Sequence, residues 1–511
     1  MPLNSGGAGS KLFLKNNTVR TTQDGAFGHP TYLTVMPHLF QLFRLTVIGT
    51  GFVAMAASAS HALAAQRTFV HSSPLGNDAN TVSSCSLVAP CRSFNSAISV
   101  TDPGGELVIL DTAGYGPMTI GKSIKIIGPS GVYGGISVLG GGGPTTGVVI
   151  NAGATDVITL RGLDISGVPG AVGPFPNIGI DIQNAGEVHL EKSSIGNFTQ
   201  ASSACINVAP TSESFVHITD SFLRECRTGI NANGTALPAA VDAAVIVDNT
   251  RIERGRAASG LVYGLRVQGK IGMSVRNSLI SVEDVGIQVD NLTPNGTTVL
   301  ELSQTKLVGM GTGLNVVSAS AGGVPFVYIT GSEFVGIDDG IIFSHSAAGT
   351  TVGGQLKVAD SYFAQLSNSG ITASTGSDAA INIDLVRSQL SAVGHTAISM
   401  DASGTSAVNL SMRDTTLSNA TTLLKTSGTS SVNATLIRTH LHNSVTAVDH
   451  GRGRIRMEQT NVTANVNSLV NSGSGNIVSA GIGSAGTNWI IDNIDSTGGT
   501  VYITPTIIPM K

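Results

Sequence analysis

Along most of this chain the apolar positions alternate for two or three steps, lose phase by one residue, and then alternate again. In HITDSFLREC, which begins at His217, Ile218 keeps the alternate spacing set by Val216, but the next apolar position, Leu223, is out of phase. The same slip recurs at Ser/Thr residues numbered 193, 221, 250, 278, 305, 332, 361, 388, 415, 439 and 460. The first eight intervals between these anchors are 27–29 residues long, and the last two shorten to 24 and 21. A repeat of this length predicts a solenoid rather than a string of separate domains.

Three columns of the repeat are apolar without exception. Three residues before the anchor stand Leu190, Ile218, Val247, Val275, Leu302, Ile329, Val358, Leu385, Met412, Leu436 and Met457. The column five before runs from Val188 and Val216 to Ile455, and the column two after from Ile195 and Leu223 to Val462. Positions −5 and −3 share one face of a strand. Positions −3 and +2 differ by an odd number, so both face one interior only if the chain turns between them. The residue at −1 is often Asp, Asn or Gln, as in Asp220, Asn249, Asn277, Gln304, Asp360, Asp414 and Gln459. Asn and Asp tolerate the left-handed conformation of a tight corner. A further element follows each anchor, as in Thr228-Gly229-Ile230, Val285-Gly286-Ile287 and Thr312-Gly313-Leu314. Three short strands per turn, stacked turn on turn, make an all-β parallel β-helix. At one strand spacing per coil, residues 105–480 would hold about 14 coils and form a rod on the order of 65 Å long.

The regions outside the repeat divide the rest of the chain. Residues 1–35 are polar and read as an extension. Residues 36–64 have the layout of a signal peptide: Arg44, an apolar run from Leu45 to Ala57, and Ala62-Leu63-Ala64 as a cleavage site. The apolar run falls short of the ~20 residues of a membrane span, so the mature chain is expected to have none. Residues 65–104 form an N-terminal cap region, in which Arg92–Val100 suits an amphipathic helix. Residues 481–511, with Trp489, form the C-terminal cap.

Composition fits the pattern. The 511 residues include 64 Gly, only 12% charged residues and one Trp, with a net charge of −4. That charge gives no case for nucleic acid as a partner. Export makes disulfides possible. Cys85 and Cys91 enclose a short loop and are expected to pair. Cys205 and Cys226 either form a second bridge or remain buried thiols. No Cys/His spacing suggests zinc, and no cofactor is implied.

The columns resemble the right-handed parallel β-helix of the pectin-lyase-like superfamily. The segment from Arg67 to Val100, followed by GGELVILDTAGYGPMTIGKSIKIIG, resembles the start of exported bacterial proteins described only as β-helix repeat-containing. The resemblance implies fold rather than activity, because the superfamily spans lyases, hydrolases, epimerases, phage tailspikes and adhesins.

In enzymes of that superfamily the site lies on one exposed ladder. Here the strand after the Gly-Ile element would present Asp181, Asn207, Asn231, Arg266, Gln288 and Asn315 outward in consecutive coils. Amides with one ion of each sign suit the hydroxyls and carboxylates of sugars, although any solvated sheet face is polar. Catalytic marks are weaker. Asp338-Asp339 and Asp449-His450 lie about four coils apart, too far to share a bond. Arg266 and Asp181 are three coils apart. His189 and His217, with Glu191 on the same face, could hold a metal or simply stack. Corners are short except for ERGRAASGLVYG, residues 253–264. These features predict an exported, monomeric, non-catalytic β-helix, either a surface or adhesive module or one that binds polysaccharide or a cell-surface glycan. The alternative is a lyase, glycoside hydrolase or epimerase acting on glycans that contain uronic acid.

Overall fold

A computed structural model describes residues 65–141, 145–168, 173–238, 241–291, 296–318, 324–346, 352–376, 379–472, 476–479 and 489–491. The extension at 1–35 and the signal-like segment at 36–64 lie outside these, as does most of 481–511. Within them the chain winds as a parallel β-helix. The first face is a 16-stranded parallel sheet. Eleven of its strands, from Glu187–Glu191 to Arg454–Glu458, belong to the Ser/Thr-anchored turns. The regular winding is therefore about 11 turns rather than 14. The first-face sheet continues past them in the less regular strands Ala65–Val70, Thr101–Ile109, Ile124–Ile127 and Val157–Arg161, and in Asn476–Ser479.

The three apolar columns fill the interior, and every member is at most 3% exposed. Register brings like onto like: Val216 lies over Val245, Ile218 over Val247, and Leu223 over Ile252. Phe334 and Phe363 stack at 4.5 Å. Full burial of such side chains contributes roughly 1.5–3 kcal/mol each, so the ladders hold the winding together.

The lost phase is a corner, as the spacing requires. All eleven residues at −1 are left-handed, with φ from 46° to 59°. They include Lys192, Gly331, Arg387 and Arg438 beside the Asp, Asn and Gln members. The anchor hydroxyl then stitches the corner. In each turn it donates to the carbonyl two residues back, at 2.6–3.3 Å. In several turns it also accepts the anchor N–H of the coil before, as Ser278 Oγ does from Thr250 N (3.2 Å). A second corner, four residues after the anchor, is left-handed in ten of the eleven turns, at Asn197, Glu225, Gly309, Asn419 and their counterparts.

The third face begins with the Gly-Ile element, where glycine is set by close approach. A Cβ on Gly313 would lie 2.6 Å from the Gly340 carbonyl oxygen and 2.8 Å from the Phe334 ring. At the N-terminal end a helix, Phe94–Val100, is capped by Ser93 and buries Phe94, Ala97 and Ile98. Cys85 bonds Cys91 beside it, and Cys205 bonds Cys226 within the solenoid. Among the described residues no helix is long and apolar enough to cross a membrane.

Candidate functional site

The third face carries the polar stripe. Its strands Ile178–Asn184, Ala204–Val208, Thr228–Gly234, Tyr263–Gly269, Val285–Asn291 and Thr312–Ser318 stack in parallel. Their register places Asp181, Asn207, Asn231, Arg266, Gln288 and Asn315 one above another in a single column. Outward alternation alone puts them there, since Ile180 and Ile182 flank Asp181 on the inside.

The column divides into two hydrogen-bonded groups. In the first, Asn207 Nδ2 donates to Asp181 Oδ1 (2.7 Å), and Asn231 Nδ2 donates to Asn207 Oδ1 (2.8 Å). Gln183 also donates to Asp181, at 2.8 Å. The second group centres on Asp290, which lies two residues beyond Gln288 on the same strand and is 7% exposed. Arg266 Nε and Nη2 both reach Asp290 Oδ2 at 2.7 Å. Gln268 donates to the same oxygen (3.3 Å) and Gln288 to Oδ1 (2.7 Å). Asn315 closes the group with a bond to Gln288 Oε1 (2.9 Å). No hydrogen bond joins Asn231 to Arg266 among the described residues. Asp290 belongs to a second outward column, with Asn233 and Gln268, which a search confined to one residue per coil passes over.

Tyr263 adds an aromatic surface. The guanidinium groups of Arg227 and Arg266 lie 5.8 and 5.4 Å from its ring centre, a cation–π arrangement on both counts. Arg227 Nε is enclosed and makes no hydrogen bond. Above it runs the long corner, which folds back over earlier coils through Arg256 N to Cys226 O (3.2 Å) and Ala258 N to Thr199 O (2.8 Å). It walls a cavity of about 620 Å³ lined by Asn197, Thr199, Glu225 and Arg256, among others.

The other sequence candidates fall elsewhere. Asp339 starts a third-face strand and accepts a hydrogen bond from Asn368 (2.7 Å). His450 is fully buried, with Nδ1 on Thr426 Oγ1 (2.7 Å). Neither is placed to act with the other. His189 and His217 stack at 4.9 Å, but their carboxylate is Glu187, at 3.0 and 3.5 Å, and not Glu191, which faces Arg161. Burial, then the neighbouring His189, holds the His217 pKa below the ordinary histidine value against the pull of Glu187. Among the described residues no group of three His, Cys, Asp or Glu side chains is set to hold a metal.

The sequence matches no known family model and no curated protein. Among solved structures it is similar to the periplasmic alginate epimerase AlgG, at 8% identity over 74% of this chain and 79% of that one, TM-score 0.38. It is also similar to the catalytic unit of the GH87 α-1,3-glucanase of Streptomyces thermodiastaticus, at 14% identity over 83% and 70%, TM-score 0.35. A third is a mannuronic-acid-specific family 6 polysaccharide lyase from the human gut microbiota, at 12% identity over 73% and 86%, TM-score 0.36.

Proposed function

We propose that this protein is an exported polysaccharide-binding β-helix whose third face takes a glycan along the column from Asp181 to Asn315. The observation that carries the reading is the Arg266–Asp290 group. It sets charge, amides and the Tyr263 ring side by side on one ladder, where Gln288 and Asp290 are themselves buried. Two disulfides and the signal-like segment support export. Asp290 accepts from Arg266, Gln268 and Gln288, so both of its oxygens are engaged. A carboxylate held in this way is occupied in orienting its donors. Recognition without turnover is therefore the primary reading.

A second reading is a lyase, hydrolase or epimerase acting on uronic-acid glycans. It is favoured by the same pairing of an arginine with a nearly buried carboxylate. One experiment separates the two. Wild type, Arg266→Ala and Asp290→Asn are tested for binding to polygalacturonate, alginate and neutral glucans, with parallel assays for unsaturated products and new reducing ends. Binding lost in both variants, with no product from wild type, is the expected result. Product formation that disappears in Arg266→Ala while the fold is kept establishes the enzyme. Equal binding by all three proteins removes the third face from consideration.

A further inference from the structure

The first face carries a separate track of amides that the third-face reading does not use. Register stacks Gln355, Asn382, Asn409 and Asn433 in one outward column. Asn409 Nδ2 donates to Asn382 Oδ1, and Asn433 Nδ2 to Asn409 Oδ1, both at 3.0 Å. A side-chain amide offers two N–H groups and two acceptor sites. The ladder uses one of each on Asn409, so one donor and one acceptor remain for a ligand at that step. The neighbouring outward column holds Tyr328, Lys357, Asp384, Ser411 and Thr435. Asp384 Oδ1 is enclosed without a hydrogen bond, its nearest cation being Arg413 at 3.9 Å. The two columns line a cavity of about 340 Å³ running over four coils.

Phe326 and Tyr328, half-buried and facing outward, stand over Gln355 and Lys357 at the head of this track. Aromatic faces at one end, and paired donors and acceptors along the rest, suit the C–H faces and hydroxyls of pyranose rings. The amide run is local: in earlier coils the same column holds Phe215, Ala244, Gly272 and Val299. Successive side chains are spaced by about 4.8 Å, the strand repeat, so a linear chain lying along the solenoid axis meets one amide per step.

We propose that the first face between Phe326 and Thr435 binds a linear neutral glycan, at a site independent of the third-face stripe. Lys357 and Asp384, neighbours in one column, are the two charges that these columns carry over this stretch, and they cancel, which favours a neutral chain over a polyion. The test titrates the full chain with cellohexaose, mannohexaose and xylohexaose and compares Tyr328→Ala and Asn409→Leu with the third-face variant Asn231→Leu. Circular dichroism checks that each variant is folded. At least one hexasaccharide is expected to bind, with affinity falling on the order of tenfold or more in Tyr328→Ala and Asn409→Leu but not in Asn231→Leu. Tyr328 lies on the outer surface, so its truncation keeps the test valid if Asn409→Leu does not fold. The proposal is overturned if none of the three sugars binds, if Tyr328→Ala binds as wild type does, or if binding is lost in Asn231→Leu instead. Uronate binding by the third face, measured separately, is unaffected in either outcome.

Discussion

Replacing Ser278 by alanine isolates what the corner hydroxyl contributes. Ser278 is 5% exposed, and its Oγ has two roles. It donates to the Arg276 carbonyl (2.6 Å) and accepts from the Thr250 N–H (3.2 Å) in the preceding coil. The carbonyl keeps a partner after the change, because the Asn249 N–H also reaches it at 3.1 Å. The Thr250 N–H has no such second acceptor and is enclosed by a residue that is 0% exposed. An unsatisfied buried donor costs about 1–3 kcal/mol, and that is the destabilisation expected for Ser278→Ala. Ser278→Thr should restore only part of it, since Thr250 and Thr305, at the equivalent place in the coils on either side, donate to the carbonyl two residues back but, among the described residues, show no bond from the anchor N–H of the coil before. Denaturant midpoints give the total, and native-state hydrogen exchange gives the location. The Thr250 amide should lose protection while amides two coils away keep theirs. A Ser278→Ala protein within about 0.5 kcal/mol of wild type, with the Thr250 amide still protected, would refute the role given to the anchor.

Other outcomes follow from the same geometry. Gly313→Ala puts a Cβ against the Gly340 carbonyl and the Phe334 ring, which is itself stacked on Phe363, and should cost about 1–3 kcal/mol in a denaturant titration. Removing the Cys205–Cys226 bridge by the double alanine variant opens a loop of 21 residues and should cost about 3 kcal/mol on the chain-entropy scale, read as a lower midpoint under non-reducing conditions. His217 and His450 both have pKa values lowered from 6.5, burial being the largest cause in each. Their folded forms resist protonation, so stability should be full above about pH 6.5 and fall as the pH drops below it. His217→Gln should flatten part of that fall, and an unchanged slope between pH 7 and 5 would show that His217 does not contribute.

The winding was open to sequence reasoning because it rests on parity. A column such as Leu190, Ile218 and Val247 recurs in every coil, and a phase slip between −3 and +2 has one geometric meaning. The second corner was less visible. Its left-handed positions are filled by residues as different as Asn197, Glu225, Arg254 and Ala392, because the backbone path, rather than side-chain chemistry, fixes them. The third-face column was traceable coil by coil, but its central carboxylate was not. Arg266 meets Asp290 diagonally, one coil on and two residues along the strand, and a column search follows only direct neighbours. The exchange of Glu191 for Glu187 beside the histidines has the same origin. Both glutamates face outward on one strand, and only the reach of the side chains decides between them.

The asparagine ladders share a sense of direction. Asn207, Asn231, Asn409 and Asn433 each hand a proton back to the coil before, and Asn249 does the same to Asp220 at the corner. A newly wound turn thus finds an oxygen waiting on the turn beneath it and presents a fresh oxygen to the turn that comes next. Where these ladders run, growth outward from the Cys85–Cys91 end is templated in this way. A polypeptide delivered amino end first could wind up in the order in which it emerges.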